Sequence, residues 1–147
     1  RAAAEAAARA AARSVRQLAQ SWQAVLPAAA LGRALGRVAA ALADHYLIPT
    51  LAATEFSAEE THFLHQLFTQ VIQVEDIFTG VPSGMPTNWP KFKALAALME
   101  WGLDDFAARL PQGHLRDFSA EELGGLVRAI FSESPRRTAL LSAIHKI

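Results

Sequence analysis

The chain has 147 residues, 52% hydrophobic and 19% charged, with 14 Lys plus Arg against 14 Asp plus Glu and no Cys. That is enough apolar chain for one ordered domain with a sizeable core, and zero net charge excludes both the global field of a nucleic-acid binder and an acidic-tail protein. The lack of Cys excludes disulfides, thiolate catalysis and Cys-based zinc sites and fits an intracellular protein, and no apolar run approaches the ~20 residues of a bilayer span, so any membrane role would have to be peripheral.

The opening RAAAEAAARAAAR reads as helix interior with no Met and no signal-peptide layout, and is expected to be cut from a longer chain. It has high helix propensity but no side chain larger than Ala on its apolar face, which predicts a stiff helix whose packing becomes specific only from Val15. Val15, Leu18, Trp22 and Val25 then recur at helical spacing until Pro27. Leu31, Leu35, Val38 and Leu42 define a second helix, expected to end near Ile48-Pro49. A third should start at Ser57, carry Leu64, Leu67, Phe68, Val71, Ile72 and Phe78 inward, and close at Thr79-Gly80.

The run VPSGMPTNWP is too rich in Pro and Gly for a helix and predicts a loop. Pro90 suits the first turn of a fourth helix with Phe92, Leu95, Met99, Leu103, Phe106 and Leu110 inward, ended by Pro111 and Gly113. Leu123, Leu126, Val127, Ile130 and Phe131 mark the fifth. Ser134-Pro135 opens the sixth, with Leu140, Leu141, Ile144 and Ile147 inward. Six helical stretches and no strand predict an all-α bundle or the end of a helical rod, with residues 1–27 as an Ala-rich lead-in and 28–147 as the bundle.

The pentapeptide FSAEE occurs at Phe56–Glu60 and again at Phe118–Glu122. A Ser followed three residues later by Glu is a capping box, and the sequences downstream share only apolar spacing, so the recurrence marks two helix starts rather than a duplication. The second is better built, because Phe118 can staple onto Leu123 whereas Phe56 would meet Thr61.

Glu59, His62 and His65 spell E-x-x-H-x-x-H, a spacing used by di-metal bundles. However, His62 lies about 160° and His65 about 100° from the inward stripe, and no second helix carries a matching Glu-x-x-His, which favours a solvated face over a metal site. Asp104-Asp105 and Glu75-Asp76 are sequence neighbours that splay apart on a helix, unlike an acid and base flanking one substrate atom. No nucleophile elbow or phosphate-cradling Gly loop is present. Neither catalysis nor a cofactor or metal is expected, and no hollow is expected to gather three titratable side chains, since His45, His62, His65, His114 and His145 are dispersed.

Arg136 and Arg137 open the last helix after a tight turn, which could be a DNA-reading helix-turn-helix. Glu121, Glu122 and Glu133 offset them, and a closing bundle helix needs the same apolar positions, so nucleic acid is not the expected partner. If Phe92, Phe106 and Leu110 mark the inward face, Trp101 lies about 180° from them, beside Ala94, Ala97 and Ala108. It is then either sandwiched within the bundle, the favoured reading, or offered to a partner.

LAQSWQAVLP near the start, and NWPKFKALAALMEWGLDDFAARL with LRDFSAEELGGLVRAIFSESPRRTALLSAI at the end, resemble the C-terminal region of the Zeste-white-ten family of kinetochore and vesicle-tethering proteins. The most specific part is the tail: Phe118, Glu122, the segment Leu126 to Phe131, a polar turn and Arg136-Arg137. Phe106, where the family would carry Trp, and the loop Pro111 to Arg116 depart from its pattern. The resemblance implies a non-catalytic helical-rod subunit of a Rod, Zwilch and Zeste-white-ten complex at kinetochores, linked to dynein, and of an endoplasmic-reticulum tether that handles SNAREs. It implies a cytoplasmic protein at kinetochores and the peripheral ER membrane, docked on a large Rod-type or related solenoid subunit. Trp89, Trp101, Arg128, Arg136 and Arg137 have the aromatic and guanidinium chemistry that dominates interfaces, and are the expected partner-binding residues.

Overall fold

A computed structural model describes residues 1–147 as an all-α structure. Its helices are α1 (Ala2–Gln23), α2 (Ala28–Ala52), α3 (Ala58–Ile72), α4 (Glu75–Thr79), α5 (Trp89–Leu98), α6 (Leu103–Arg109), α7 (Ala120–Ile130) and α8 (Pro135–His145), with a 3-10 turn at Leu110–Gln112 after α6. Two of the six expected helical stretches are broken in two. The third tightens at Gln73 and Val74, whose N–H groups reach only three residues back to Gln70 and Val71, and restarts as α4. In the fourth, Glu100 and Trp101 likewise bond to Ala97 and Leu98, and Gly102 is fully extended at φ −86° and ψ 176°. Asp105 then accepts from the Gly102 N–H at 2.9 Å and caps the new helix.

The helix α2 is the spine, touching α1, α4, α5 and α7. It runs through Pro49 instead of stopping there. Pro49 leaves the His45 carbonyl without its helical donor at a position where both residues are exposed to solvent, while the Thr50 hydroxyl donates to the Tyr46 carbonyl at 2.7 Å. Between α4 and α5 the loop lies against Gly32 and Gly36 of α2: a Cβ on Gly32 would stand 1.6 Å from the Pro82 carbonyl oxygen. The two glycines form a notch that admits backbone where any side chain would exclude it. Asn88 fastens the loop's far end, donating to the Ala40 carbonyl at 3.0 Å and to Asp44 at 2.8 Å.

The Ala-rich lead-in is engaged well before Val15, contrary to expectation. Ala8 is 3% exposed, and Ala4, Ala12, Ala19 and Trp22 of the same helix pack against the core. Small side chains let α1 lie close on α3 and α2, and ion pairs Arg1–Glu59 at 3.3 Å and Arg16–Asp76 at 3.2 Å stitch its two ends down. The same register leaves Leu18 at 39% and Val25 at 75% exposure, so neither is a core residue, and Ile147 at 69% is not one either.

Two aromatic clusters organise the interior. Phe92 stacks on Tyr46 at 5.8 Å and meets Phe68 at 5.3 Å and Trp89 at 5.5 Å, and Trp89 stands edge-on to Phe78. Full burial of each large ring contributes up to ~3 kcal/mol. The second cluster, Trp101–Phe106–Phe131, belongs to α6, α7 and α8, where Leu123, Leu126, Val127, Leu140 and Ile144 are also buried. The halves are joined by a Phe56 N–H to Ala129 carbonyl bond of 2.8 Å and by Lys91–Glu122 at 2.8 Å. Both expected capping boxes are present, at Ser57/Glu60 and Ser119/Glu122, and Phe118, 5% exposed, and Leu123 are both buried beside the second.

Candidate functional site

The five residues with interface chemistry do not form one surface. Trp89 is not a loop residue: it opens α5, is 0% exposed, and its indole N–H donates to Glu75 at 2.8 Å. Its NWP context, with Pro inside the first turn, sends the ring into the core, so Trp89 is removed from the partner-binding set. Trp101 sits at the α5–α6 break, half-buried and edge-on to Phe106 at 5.3 Å, with the Arg109 guanidinium 4.4 Å from its ring centroid. The break, not helical periodicity, sets its direction, and the angle of about 180° read from a continuous helix does not apply.

At the start of α8 the two arginines have different jobs. The Ser134 hydroxyl accepts from the Arg137 N–H at 3.1 Å, and the Arg137 guanidinium reaches back to the Phe131 carbonyl at 3.1 Å. That carbonyl ends α7, so Arg137 closes the turn between α7 and α8. Arg136 is exposed and pairs with Asp104 across the α6–α8 gap. Arg128 is exposed on α7, with its guanidinium folded over Gly124. Arg136 and Arg137, the two arginines of the helix-turn-helix alternative, thus already have acceptors within the domain.

Beside the Arg136–Asp104 pair lies an open groove of about 620 Å³ between α6 with its 3-10 turn and α8. Leu103, Ala107 and Leu110 form one wall, Ala139 and Ala143 the other, and Lys146 stands at the far end. The groove therefore gathers three titratable side chains, Asp104, Arg136 and Lys146, which the sequence reading did not expect. Asp104 and Arg136 neutralise each other, and no His or second carboxylate lines the groove, so no acid and base pair faces a common point. The signal that would have found it is in α8: Arg136, Ala139, Ala143 and Lys146 follow a 3-4-3 spacing, a second stripe beside the buried Leu140 and Ile144.

The E-x-x-H-x-x-H residues each turn to a separate partner. Glu59 pairs with Arg1, His62 Nδ1 lies 2.6 Å from Glu100, and His65 Nδ1 donates to the Ala96 carbonyl at 2.7 Å. No three His, Asp or Glu side chains come together in a metal-holding arrangement. The perturbed carboxyls are structural. Burial works to raise Glu122, but the Lys91 ammonium and the Ser119 N–H outweigh it and hold the carboxyl below its usual 4.5; Glu75, against Lys93 and the Trp89 indole, is lowered in the same way. Glu60 is lowered by its bonds with the backbone and side chain of Ser57.

A family model described as the ZW10 C-terminal helical domain matches residues 6–144, nearly the whole chain. The chain belongs to the ZW10 family. That match spans every helix from α1 to α8 and agrees with the resemblance of the Phe118 to Ile144 tail. No curated protein and no solved structure matches the chain. No helix is long and apolar enough to cross a membrane.

Proposed function

We propose that this domain is a non-catalytic scaffold of a ZW10-type subunit, serving a kinetochore complex of the Rod, Zwilch and Zeste-white-ten kind and an endoplasmic-reticulum vesicle tether. It holds partner subunits through helix faces, chiefly a large Rod-type or related solenoid subunit, and through them connects to dynein and SNAREs. On this reading the protein works in the cytoplasm, at kinetochores and on the peripheral ER membrane. The observation that carries the proposal is the ZW10-family match across residues 6–144. The interior supports it: aromatic clusters and capped short helices make a rigid body, which is what fixing partners at set distances requires.

The surface residues we assign to partner contact are Arg128 and Arg136, with half-buried Trp101 and Arg137 contributing their exposed edges. The test is retention of the purified large solenoid subunit on the immobilised domain. Wild type should retain it at micromolar concentration, and Arg128→Ala with Arg136→Ala should weaken retention at unchanged melting temperature. Failure of the wild-type domain to retain the subunit would overturn the reading.

A further inference from the structure

From the groove between α6 and α8 we infer a docking site for a short amphipathic helix of a protein partner, apolar along one stripe and carrying a carboxylate at one end. The scaffold reading supplies the kind of partner, a protein, and the groove supplies its chemistry.

The walls are two helical stripes. On α8 and its C-cap, Arg136, Ala139, Ala143 and Lys146 recur at 3-4-3 spacing, and opposite them stand Leu103 and Ala107 of α6, four residues apart, with Leu110 of the following 3-10 turn. These are the intervals by which a helix presents a seam to another helix. The middle of the seam is Ala on both sides, and Ala107, Ala139 and Ala143 are exposed although apolar. Small side chains on two neighbouring helices permit a third to approach closely, which an extended peptide does not need. From Arg136 to Lys146 the α8 wall is about 15 Å long at helical rise, room for about three turns of an occupant.

Charge settles the rest. At one end Arg136 is neutralised by Asp104, while at the other Lys146 has no acidic partner within the domain. The groove rim is therefore locally cationic within a chain of zero formal charge. A Glu or Asp on the occupant opposite Lys146 completes the site, and a basic residue there is repelled.

The test uses a probe that requires no knowledge of the natural partner: a fluorescein-labelled, helix-stapled peptide of about twelve residues with Leu at 3-4-3 spacing and Glu at one end of the stripe. Its composition-matched scramble and its Glu→Lys form are run beside it. Fluorescence anisotropy should show saturable binding to the wild-type domain and none of the scramble. Ala143→Arg, at an exposed position that leaves the fold intact, should abolish binding. Lys146→Glu should weaken it at least tenfold, and the Glu→Lys peptide should recover the loss. Equal binding of the scramble, undiminished binding by Ala143→Arg, or no binding at millimolar peptide would overturn the site. Light scattering that shows dimers of wild type but not of Ala143→Arg would assign the groove to a second copy and overturn the partner helix. The scaffold reading fails separately, on wild-type retention of the large subunit. If Ala143→Arg still retains that subunit, the groove is not its seat and the scaffold reading stands.

Discussion

Gly32 and Gly125 both lie inside helices, and adding the same methyl group to each should move stability in opposite directions. In a helix interior, Gly→Ala gains up to about 1 kcal/mol from backbone entropy and propensity. At Gly125 nothing lies within 4 Å of the new Cβ, so the gain should appear in full, about 0.5–1 kcal/mol. At Gly32 the Cβ would stand 1.6 Å from the Pro82 carbonyl oxygen and 2.8 Å from its carbon. Both are backbone atoms, and the loop must retreat by about 2 Å to restore van der Waals contact. Asn88 holds that loop to α2 by two hydrogen bonds, so retreat breaks or strains them. Overpacking of this kind costs about 3 kcal/mol, and after the propensity gain the net loss should be about 2 kcal/mol, or roughly 6 °C in melting temperature. Gly36 is intermediate: its Cβ would meet the Ser83 carbonyl oxygen at 2.9 Å, a misfit of about half an ångström, and the two effects should nearly cancel. Urea unfolding followed by far-UV circular dichroism and Trp fluorescence reads all three. If Gly32→Ala and Gly125→Ala shift the midpoint in the same direction, the notch is not occupied as described.

Trp89→Phe should keep most of the ring packing but remove the indole donor to Glu75, costing about 1–2 kcal/mol, against about 3–5 kcal/mol for Trp89→Ala, measured by the same urea series. Ser119→Ala should cost about 1 kcal/mol through the lost cap, and amide exchange should show fraying at the start of α7 without change in α3. Glu122 is held below its usual 4.5 in the folded state, so its contribution is present above that value and lost as pH falls through the folded value. Stability should therefore be level from neutral pH down to about 5 and decline below it, and Glu122→Gln should flatten part of that decline.

The parts legible in the sequence are those whose cause is local. Both capping boxes formed because Ser and Glu three residues apart satisfy each other wherever they fall, and the core faces of α3 and α7 followed from spacing. The helix breaks were not legible in the same way. Gly102 reads as a tolerated helical glycine until Asp105 is seen to accept from its N–H, and the tightening at Gln73-Val74 carries no Pro or Gly at all. Trp101 was misplaced for that reason alone. The lead-in helix shows the opposite limit: alanines at 4, 8 and 12 carry almost no hydrophobic contrast, so periodicity could not register the stripe that the close approach of α3 selects. The loop composition around Trp89 points to the surface, whereas the loop is itself folded into the Gly32–Gly36 notch and Trp89 is buried.

The break at Met99–Gly102 also explains why the groove exists. A continuous helix from Trp89 to Leu110 would keep its whole inward stripe, Phe92 to Leu110, on the first aromatic cluster. By stopping at Leu98 and restarting on the Gly102 cap, the chain turns Phe106 toward Phe131 and Trp101, and so gives α6 a core shared with α7 and α8. The shortened α6 spans only Leu103–Arg109 before the 3-10 turn, while α8 continues to His145. Packed side by side, the shorter α6 leaves Ala139 and Ala143 of α8 exposed along the groove. The open seam is thus a consequence of the same cap that fixes Trp101, and Asp105, whose carboxylate holds that cap, is the residue through which the core and the candidate surface are connected.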